Sequence, residues 1–166
     1  VGMKYRIPNL PIFEKNARAM GATPVVVAWS EYPFALMQGV VDGGECSKDS
    51  YRSSGLYESA KYVADVDYAY PVEQICFSTQ FWNSLSEEDQ KVISDAAAQV
   101  ASHHSERTLD KWEEDKEWLI NEGGVTFCDI DRQAFIDATE PLGKELQDEG
   151  FFTTKDLYDQ TRQFNK

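Results

Sequence analysis

Residues 4–7 (KYRI) alternate apolar and polar side chains, and the segments after them return to helical spacing. The period of two predicts a first strand, and the apolar run at 24–28 predicts a second strand that is covered on both faces. Helical patterns follow each strand, and a third strand is expected to end at 42–44. The order strand, helix, strand, helix, strand predicts a parallel sheet.

Capping residues mark the expected ends of the two early helices. Asn9 is a good N-cap and Pro11 suits a first helical turn, while Gly21 is expected to end that helix. Ser30 is the expected cap of the second helix, which Gly39 closes.

A single long helix dominates the second half of the pattern. Ser86 and the acids after it are a start signal, and the apolar spacing continues to about Asn121, before two glycines at 123–124. About 35 residues make a helix of about 50 Å, which is longer than one small domain. We therefore expect it to cross more than one packing unit or to leave part of its face to a partner.

Shorter elements are expected on either side of that helix. Residues 63–66 and 72–77 are predicted strands, 79–85 a short helix and 125–130 a further strand. Two helices are expected after it, and the first, at 131–147, contains a proline that should kink or split it. The predicted parts of the chain are an α/β ligand-binding lobe (1–70), a crossover strand with a short helix (71–85), the long spanning helix (86–122) and a C-terminal strand with two helices, the second at 153–164 (123–166).

The 166 residues carry a net charge of −13, which excludes several classes of partner. Nucleic acids and anionic bilayers both require clustered basic residues. No apolar run approaches the length of a membrane span. The cysteines at 46, 76 and 128 have no metal-binding spacing, and a disulfide between any two of them is left open. The neighbouring histidines at 103–104 point to different sides of a helix, so we expect no metal site and no cofactor.

Several polar and aromatic residues end or follow a predicted strand, and the carboxyl ends of parallel strands meet at one edge. They form a plausible small-molecule pocket without an obvious catalytic set. The candidate site residues are Arg6, Asn9, Trp29, Glu45, Cys46 and Tyr68.

Arg6 is the central candidate because its planar guanidinium can hold a carboxylate with two parallel hydrogen bonds. An ordinary ion pair for Arg6 is the alternative. Glu45 or Cys46 could also serve an enzyme, as an acid–base group or a nucleophile.

Several ordered segments resemble one family, the solute-binding proteins of tripartite ATP-independent periplasmic (TRAP) transporters. The likeness covers nearly the whole chain and matches the C-terminal half or so of such a protein. The matching segments are 2–8 (GMKYRIP, with its K-x-R-x-P pattern), 21–24 (GATP), 29–31 (WSE), 35–45 (ALMQGVVDGGE) and 85–92 (LSEEDQKV).

The resemblance implies a two-lobed α/β clamp of the periplasmic-binding-protein type, of which this chain is mainly the second lobe. Its long helix would run towards a first lobe that is missing here. It implies that Arg6 binds the carboxylate of an organic acid, that Asn9, Trp29 and Tyr68 line the site, and that Cys46 stands where relatives often have an amide or an aromatic residue. The ligand would pass to a membrane permease, and the binding protein would carry out no chemistry.

The resemblance further implies a secreted, periplasmic protein, although the sequence shows no signal peptide and does not begin with methionine. A mature fragment, or a piece of a longer chain, is the expectation. If the first lobe is absent, the exposed long helix is expected to favour a dimer. A structural module built on the long helix, with a stable dimer and no ligand pocket, is the alternative to an uptake subunit. An enzyme using Glu45 or Cys46 is the third hypothesis. The identity of the acid is left open.

Overall fold

Three short strands, Lys4–Ile7 (β1), Thr23–Val26 (β2) and Gly43–Gly44 (β3), run parallel in the order β2–β1–β3. The computed structural model describes residues 2–67, 69 and 74–164. β1 therefore lies in the middle of the sheet, with Arg6 in register with Val25 on one side and Gly44 on the other. The predicted parallel sheet is confirmed.

Helices fill most of the remaining described chain, and a second small sheet pairs Tyr62–Val63 (β4) in parallel with Thr126–Phe127 (β5). One-turn 3-10 helices occur at Trp29–Glu31 and Leu56–Glu58. The α-helices are Pro11–Ala19 (α1), Tyr32–Met37 (α2), Lys48–Ser53 (α3), Thr79–Ser84 (α4), Glu87–Asn121 (α5), Arg132–Asp148 (α6) and Leu157–Arg162 (α7).

Two of the predicted caps are wrong. Leu10, with no side-chain hydrogen bond, occupies the N-cap of α1, because the helix begins directly at Pro11 and leaves Asn9 one residue too early. Ser30 lies inside a 3-10 turn that precedes α2, so its hydroxyl caps neither helix. Both helices instead begin with a proline in the first turn, where the missing N–H has no intrahelical partner to lose.

Some predicted strands and helices are also corrected. β2 is not covered on both faces, since Val26 is 56% exposed. Residues 74–78 form no strand, because no described segment pairs with them, and 72–73 lie outside the described residues. α6 continues through Pro141 as one helix and does not split there, and the last helix is shorter than 153–164.

The core of the described chain gathers where α2 and α3 meet the last turns of α5. Its buried residues come from distant parts of the sequence, and Leu56 and Leu119 are among the largest fully buried side chains. The cluster consists of Tyr32, Ala35, Val41, Tyr51, Leu56, Trp112, Leu119 and Val125. Burial of these apolar surfaces fixes α2 and the loop after it, and so fixes the edge of the sheet where the candidate site lies.

The long helix α5 confirms the sequence prediction at both ends. The Ser86 hydroxyl accepts a hydrogen bond from the Asp89 backbone N–H at 3.1 Å, and the helix ends at Asn121 before the two glycines. From Lys91 to Lys111, the described side chains are exposed apart from the partly buried Ile93 and Ala97. The described chain thus buries the C-terminal turns of α5, contacts its first turns through the segment around Trp82, and leaves most of its length open, as the length predicts.

An ion cluster joins α5 to α3. Asp115 is 2% exposed and accepts hydrogen bonds from Arg52 Nη1 at 2.6 Å and from Lys111 Nζ at 2.5 Å. The Arg52 guanidinium also lies 3.9 Å from the ring centre of Trp118. Burial raises the pKa of the Asp115 carboxyl, but the hydrogen bonds from Lys111 and Arg52 outweigh it, so the pKa lies below its usual value. Asp115 therefore stabilises the fold in its ionised form.

Asp115→Asn should lower the free energy of unfolding by about 1–3 kcal/mol at pH 7, because the buried site loses charge-assisted hydrogen bonds. A carboxyl with a depressed folded-state pKa contributes stability above its unfolded pKa and loses it as pH falls through the folded-state pKa. The difference in the free energy of unfolding between wild type and variant, measured by urea unfolding, should therefore become smaller below about pH 4. Asp110→Asn, an exposed position on the same helix, is the matched control. A difference in free energy of unfolding that stays the same in acid would contradict the stabilising role of the ionised Asp115 carboxylate.

None of the helices in the described ranges is both long and apolar enough to cross a membrane.

Candidate functional site

Arg6 lies at the carboxyl edge of the sheet, where its side chain is held on two sides. Its Nε donates to the backbone carbonyl of Val27, just past β2, at 2.9 Å, and its Nη1 donates to Glu45 Oε1, just past β3, at 3.1 Å. The residue is 4% exposed. β1 supplies the arginine, and the two neighbouring strand ends supply its acceptors, so the strand order itself orients the guanidinium.

Two aromatic rings lie against the same guanidinium. Its central carbon is 5.4 Å from the ring centre of Trp29 and 5.2 Å from that of Tyr32, both within cation–π range. Tyr32 is buried, whereas Trp29 is 41% exposed. Nη2 makes no hydrogen bond with any residue in the described ranges. Nε and Nη1 thus fix the plane of the guanidinium.

Gly44 makes this packing possible. A Cβ at this position would lie 2.6 Å from the Tyr32 hydroxyl oxygen, 2.8 Å from Arg6 Cβ and 3.0 Å from the Arg6 carbonyl oxygen. Such distances are shorter than van der Waals contact, so only glycine lets β3 approach β1 and Tyr32 this closely.

Burial raises the pKa of the ionisable groups next to Arg6. It raises the pKa of the Glu45 carboxyl, and the attraction of Arg6 only partly opposes that rise. It raises the pKa of the Cys46 thiol to about 12, with Glu45 adding to the effect, and it raises the pKa of Tyr5 and Tyr32 as well. Cys46 is therefore a neutral thiol and a poor nucleophile.

The structure brings together four of the six residues that the sequence singled out, namely Arg6, Trp29, Glu45 and Cys46. Asn9 is exposed in the bend before α1, and its side chain makes no hydrogen bond to a described residue. Tyr68 lies outside the described residues. The alternative of an ion pair for Arg6 is also present, since Glu45 is its partner.

Sequence reasoning missed three contributors to this site. Tyr32 follows Trp29 by three residues, a spacing that places both on one side of a helix, and this could have predicted the paired rings. The pattern places Gly44 at the end of the third strand and gives no sign of the close packing there. The Val27 carbonyl has no sequence signal, because its role comes from the parallel register of β1 and β2.

No site for a metal ion is found in the part of the chain that the structure describes, where no group of three or more His, Cys, Asp or Glu side chains is placed to hold one. His103 and His104 are exposed on α5. All three cysteines lie in the described ranges, and none of them is in a disulfide.

Two shallow depressions on the described surface lie away from Arg6. One is lined by Glu113, Lys116 and Ile120 on α5, and the other lies between Phe77, Trp82 and α5. Neither includes a residue of the site.

Arg6 lies at the carboxyl edge of a parallel sheet, which is where open α/β sheets bind ligands. Residues 1–149 match the family model DctP, described as bacterial extracellular solute-binding protein, family 7, and the chain belongs to this family. The resemblance to TRAP solute-binding proteins is thereby confirmed. Members of this family are transport proteins and not enzymes.

Curated relatives are similar over most of this chain. A solute-binding protein of Roseobacter denitrificans is 34% identical over 134 residues, which are 81% of this chain and 41% of the relative. The sialic acid-binding periplasmic protein SiaP of Vibrio cholerae is 29% identical over 87% of this chain and 45% of its own length. The chain thus spans a little under half the length of these relatives.

Solved structures give the same result for the fold. The TRAP periplasmic solute-binding protein of Shewanella oneidensis with bound succinate superposes with a TM-score of 0.80 at 25% identity, over 89% of this chain and 49% of that one. The protein of Sulfitobacter sp. NAS-14.1 with bound β-D-galacturonate gives a TM-score of 0.78 at 28% identity, over 87% and 48%. The predicted fold class, one part of a periplasmic-binding-protein clamp, is confirmed.

Gly44→Ala should lower the free energy of unfolding by about 1–3 kcal/mol, because the added methyl group overlaps Tyr32 and the backbone of β1. Thermal unfolding measures the loss. Gly43→Ala is the matched control, since a Cβ there meets only the flexible Met3 side chain at 3.6 Å. Equal melting temperatures for the two variants would contradict the close approach.

Cys46 should be alkylated by iodoacetamide much more slowly than the exposed Cys76 and Cys128 at pH 8. A thiol with a pKa of about 12 leaves roughly one molecule in ten thousand as thiolate at that pH. Peptide mass spectrometry after timed quenching gives the three rates. A Cys46 rate equal to the other two would reopen the role of this thiol as a nucleophile.

Proposed function

We propose that this chain is the carboxylate-binding part of a periplasmic solute-binding subunit, which captures a small organic acid through Arg6 and delivers it to a membrane permease. The observation that carries the proposal is the buried Arg6 guanidinium, held by Val27 and Glu45 beside two rings at the carboxyl edge of a parallel sheet. A positive fork fixed in one orientation binds a carboxylate at little further cost in side-chain entropy.

The names of relatives support a carboxylate as the common chemical feature. One relative is called a C4-dicarboxylate-binding periplasmic protein and another a sialic acid-binding one, and solved neighbours hold succinate, D-glucuronate and β-D-galacturonate. Each of these acids carries a carboxylate, while the rest of the molecule differs. An arginine that binds the shared group and surroundings that fit the remainder would account for that range.

An interaction module built on α5 is the second candidate function. Its favouring observation is the exposed stretch of α5, where Val92 and Val100 are 62% and 57% exposed. That function needs no ligand and no Arg6, so binding of acids separates the two candidates. The enzyme hypothesis is not carried further, because the family consists of transport proteins.

Arg6→Lys should weaken the binding of organic acids by about 2–5 kcal/mol, because lysine keeps the charge but lacks the fork. The measurement is titration calorimetry on the full-length product of the gene, with succinate, galacturonate, sialic acid and benzoate as the panel. Arg6→Lys is preferred to Arg6→Ala because a cation stays beside the buried Glu45.

Arg18→Lys is the matched control, since Arg18 forms an exposed pair with Glu14 one turn away on α1. Binding that persists at wild-type strength in Arg6→Lys would refute the role of Arg6. A panel in which no acid binds the wild type would refute the proposed function as a whole.

A further inference from the structure

Glu45 already occupies part of the position that a ligand carboxylate needs on Arg6. Val27 holds Nε, so the side edge of the guanidinium is taken, and the remaining edge is the end formed by Nη1 and Nη2. Glu45 accepts from Nη1 at 3.1 Å. A ligand carboxylate that takes both end nitrogens would share Nη1 with Glu45. Nη1 has two hydrogens, but serving both acceptors would place two negative charges side by side.

The charge at this position is balanced before a ligand arrives. The side chains of Arg6 and Glu45 are 5% and 19% exposed, and their charges cancel. Lys48, a little further along the chain, is already paired with Asp65 at 3.2 Å and Asp67 at 2.6 Å. Among the described residues, a bound carboxylate therefore adds a negative charge beside an ion pair that is already neutral, which is unfavourable unless one charge is neutralised.

We propose that Glu45 is the residue that balances charge when the ligand binds: the ligand carboxylate replaces Glu45 on the Arg6 fork, and Glu45 takes up one proton from solvent. This inference rests on the proposed function. The ligand remains a carboxylate throughout, the Arg6–Glu45 ion pair is broken, and the proton adds to a carboxylate oxygen of Glu45.

Among the described residues, the other ionisable groups around Glu45 cannot take up that proton. Tyr5 on β1, Tyr32 on α2 and Cys46 beside Glu45 all have a pKa raised by burial, so they already carry their protons at neutral pH. Asp49 in the first turn of α3 is exposed and stays solvated. Burial also raises the pKa of Glu45, which makes it the ready acceptor once Arg6 is withdrawn.

The direction of the pH dependence follows from this exchange. Because the complex holds one more proton than the free protein, affinity should fall up to about tenfold per pH unit above the pKa of Glu45 in the free protein. Below that pKa the free protein already holds the proton, and affinity should level off.

The test is calorimetry on the full-length gene product with the acids galacturonate, sialic acid and benzoate, which are monoanions between pH 6 and 8. Heats measured at one pH in phosphate and in Tris, which differ in ionisation enthalpy, give the number of protons taken up. We expect net proton uptake by the wild type at a pH between 6 and 8, up to one proton per ligand, and none by Glu45→Gln, whose affinity should not change with pH. Asp49→Asn is the matched control and should behave as the wild type.

Binding without proton uptake in the wild type would overturn this inference while leaving the proposed function intact. Uptake that persists in Glu45→Gln would overturn the assignment to Glu45. Failure of every acid to bind would overturn the proposed function, and the inference with it. Should Glu45→Gln not fold, the heats of the wild type in the two buffers decide whether a proton is taken up. The affinity of the wild type must then fall with rising pH by the amount that this uptake requires.

Discussion

A buried guanidinium is the constraint on which this part of the molecule depends. Removing a charge from water is costly unless hydrogen bonds and an opposite charge replace the lost hydration. Here the replacements come from both neighbouring strands of β1, through the Val27 carbonyl and the Glu45 carboxylate, and from the Trp29 and Tyr32 rings. The order β2–β1–β3 is therefore part of the site, since any other neighbour for β1 would leave Arg6 without these acceptors.

The same constraint explains why a glycine is required on β3 beside Arg6. Tyr32 packs into the core with its hydroxyl close to β3, and Arg6 points to the same place from β1. Both side chains fit there because Gly44 has no side chain of its own. Stability of the core and geometry of the site are thus coupled through one residue without a side chain.

Local signals allowed much of the fold to be predicted from the sequence. The Ser86 cap and the glycines after Asn121 mark α5 because capping and chain reversal depend on near neighbours. The failures arise where distant segments decide. Residues 74–77 have a strand pattern but no described partner, and Asn9 loses the cap to a helix that begins directly at Pro11.

For the site, the pattern predicted that strand ends converge, which placed Arg6 with Trp29, Glu45 and Cys46. It did not predict that Glu45 would be the partner of Arg6, because that contact depends on how far β3, a strand of only two residues, runs alongside β1. The contribution of Val27 could not be predicted either, because it comes from a backbone carbonyl that the register of β1 and β2 places beside Arg6.

The anchoring of α5 has a mechanical consequence. Asp115 and the residues around it fix the helix near its C-terminal end, and about 28 residues, or about 40 Å of rigid rod, extend from there to Glu87. A tilt of about 5° at the fixed end would move the far end by about 4 Å over that length. A small change in the packing of α3 against α5 would thus produce a larger displacement at the N-terminal end of α5, far from the α3–α5 contact where the change began.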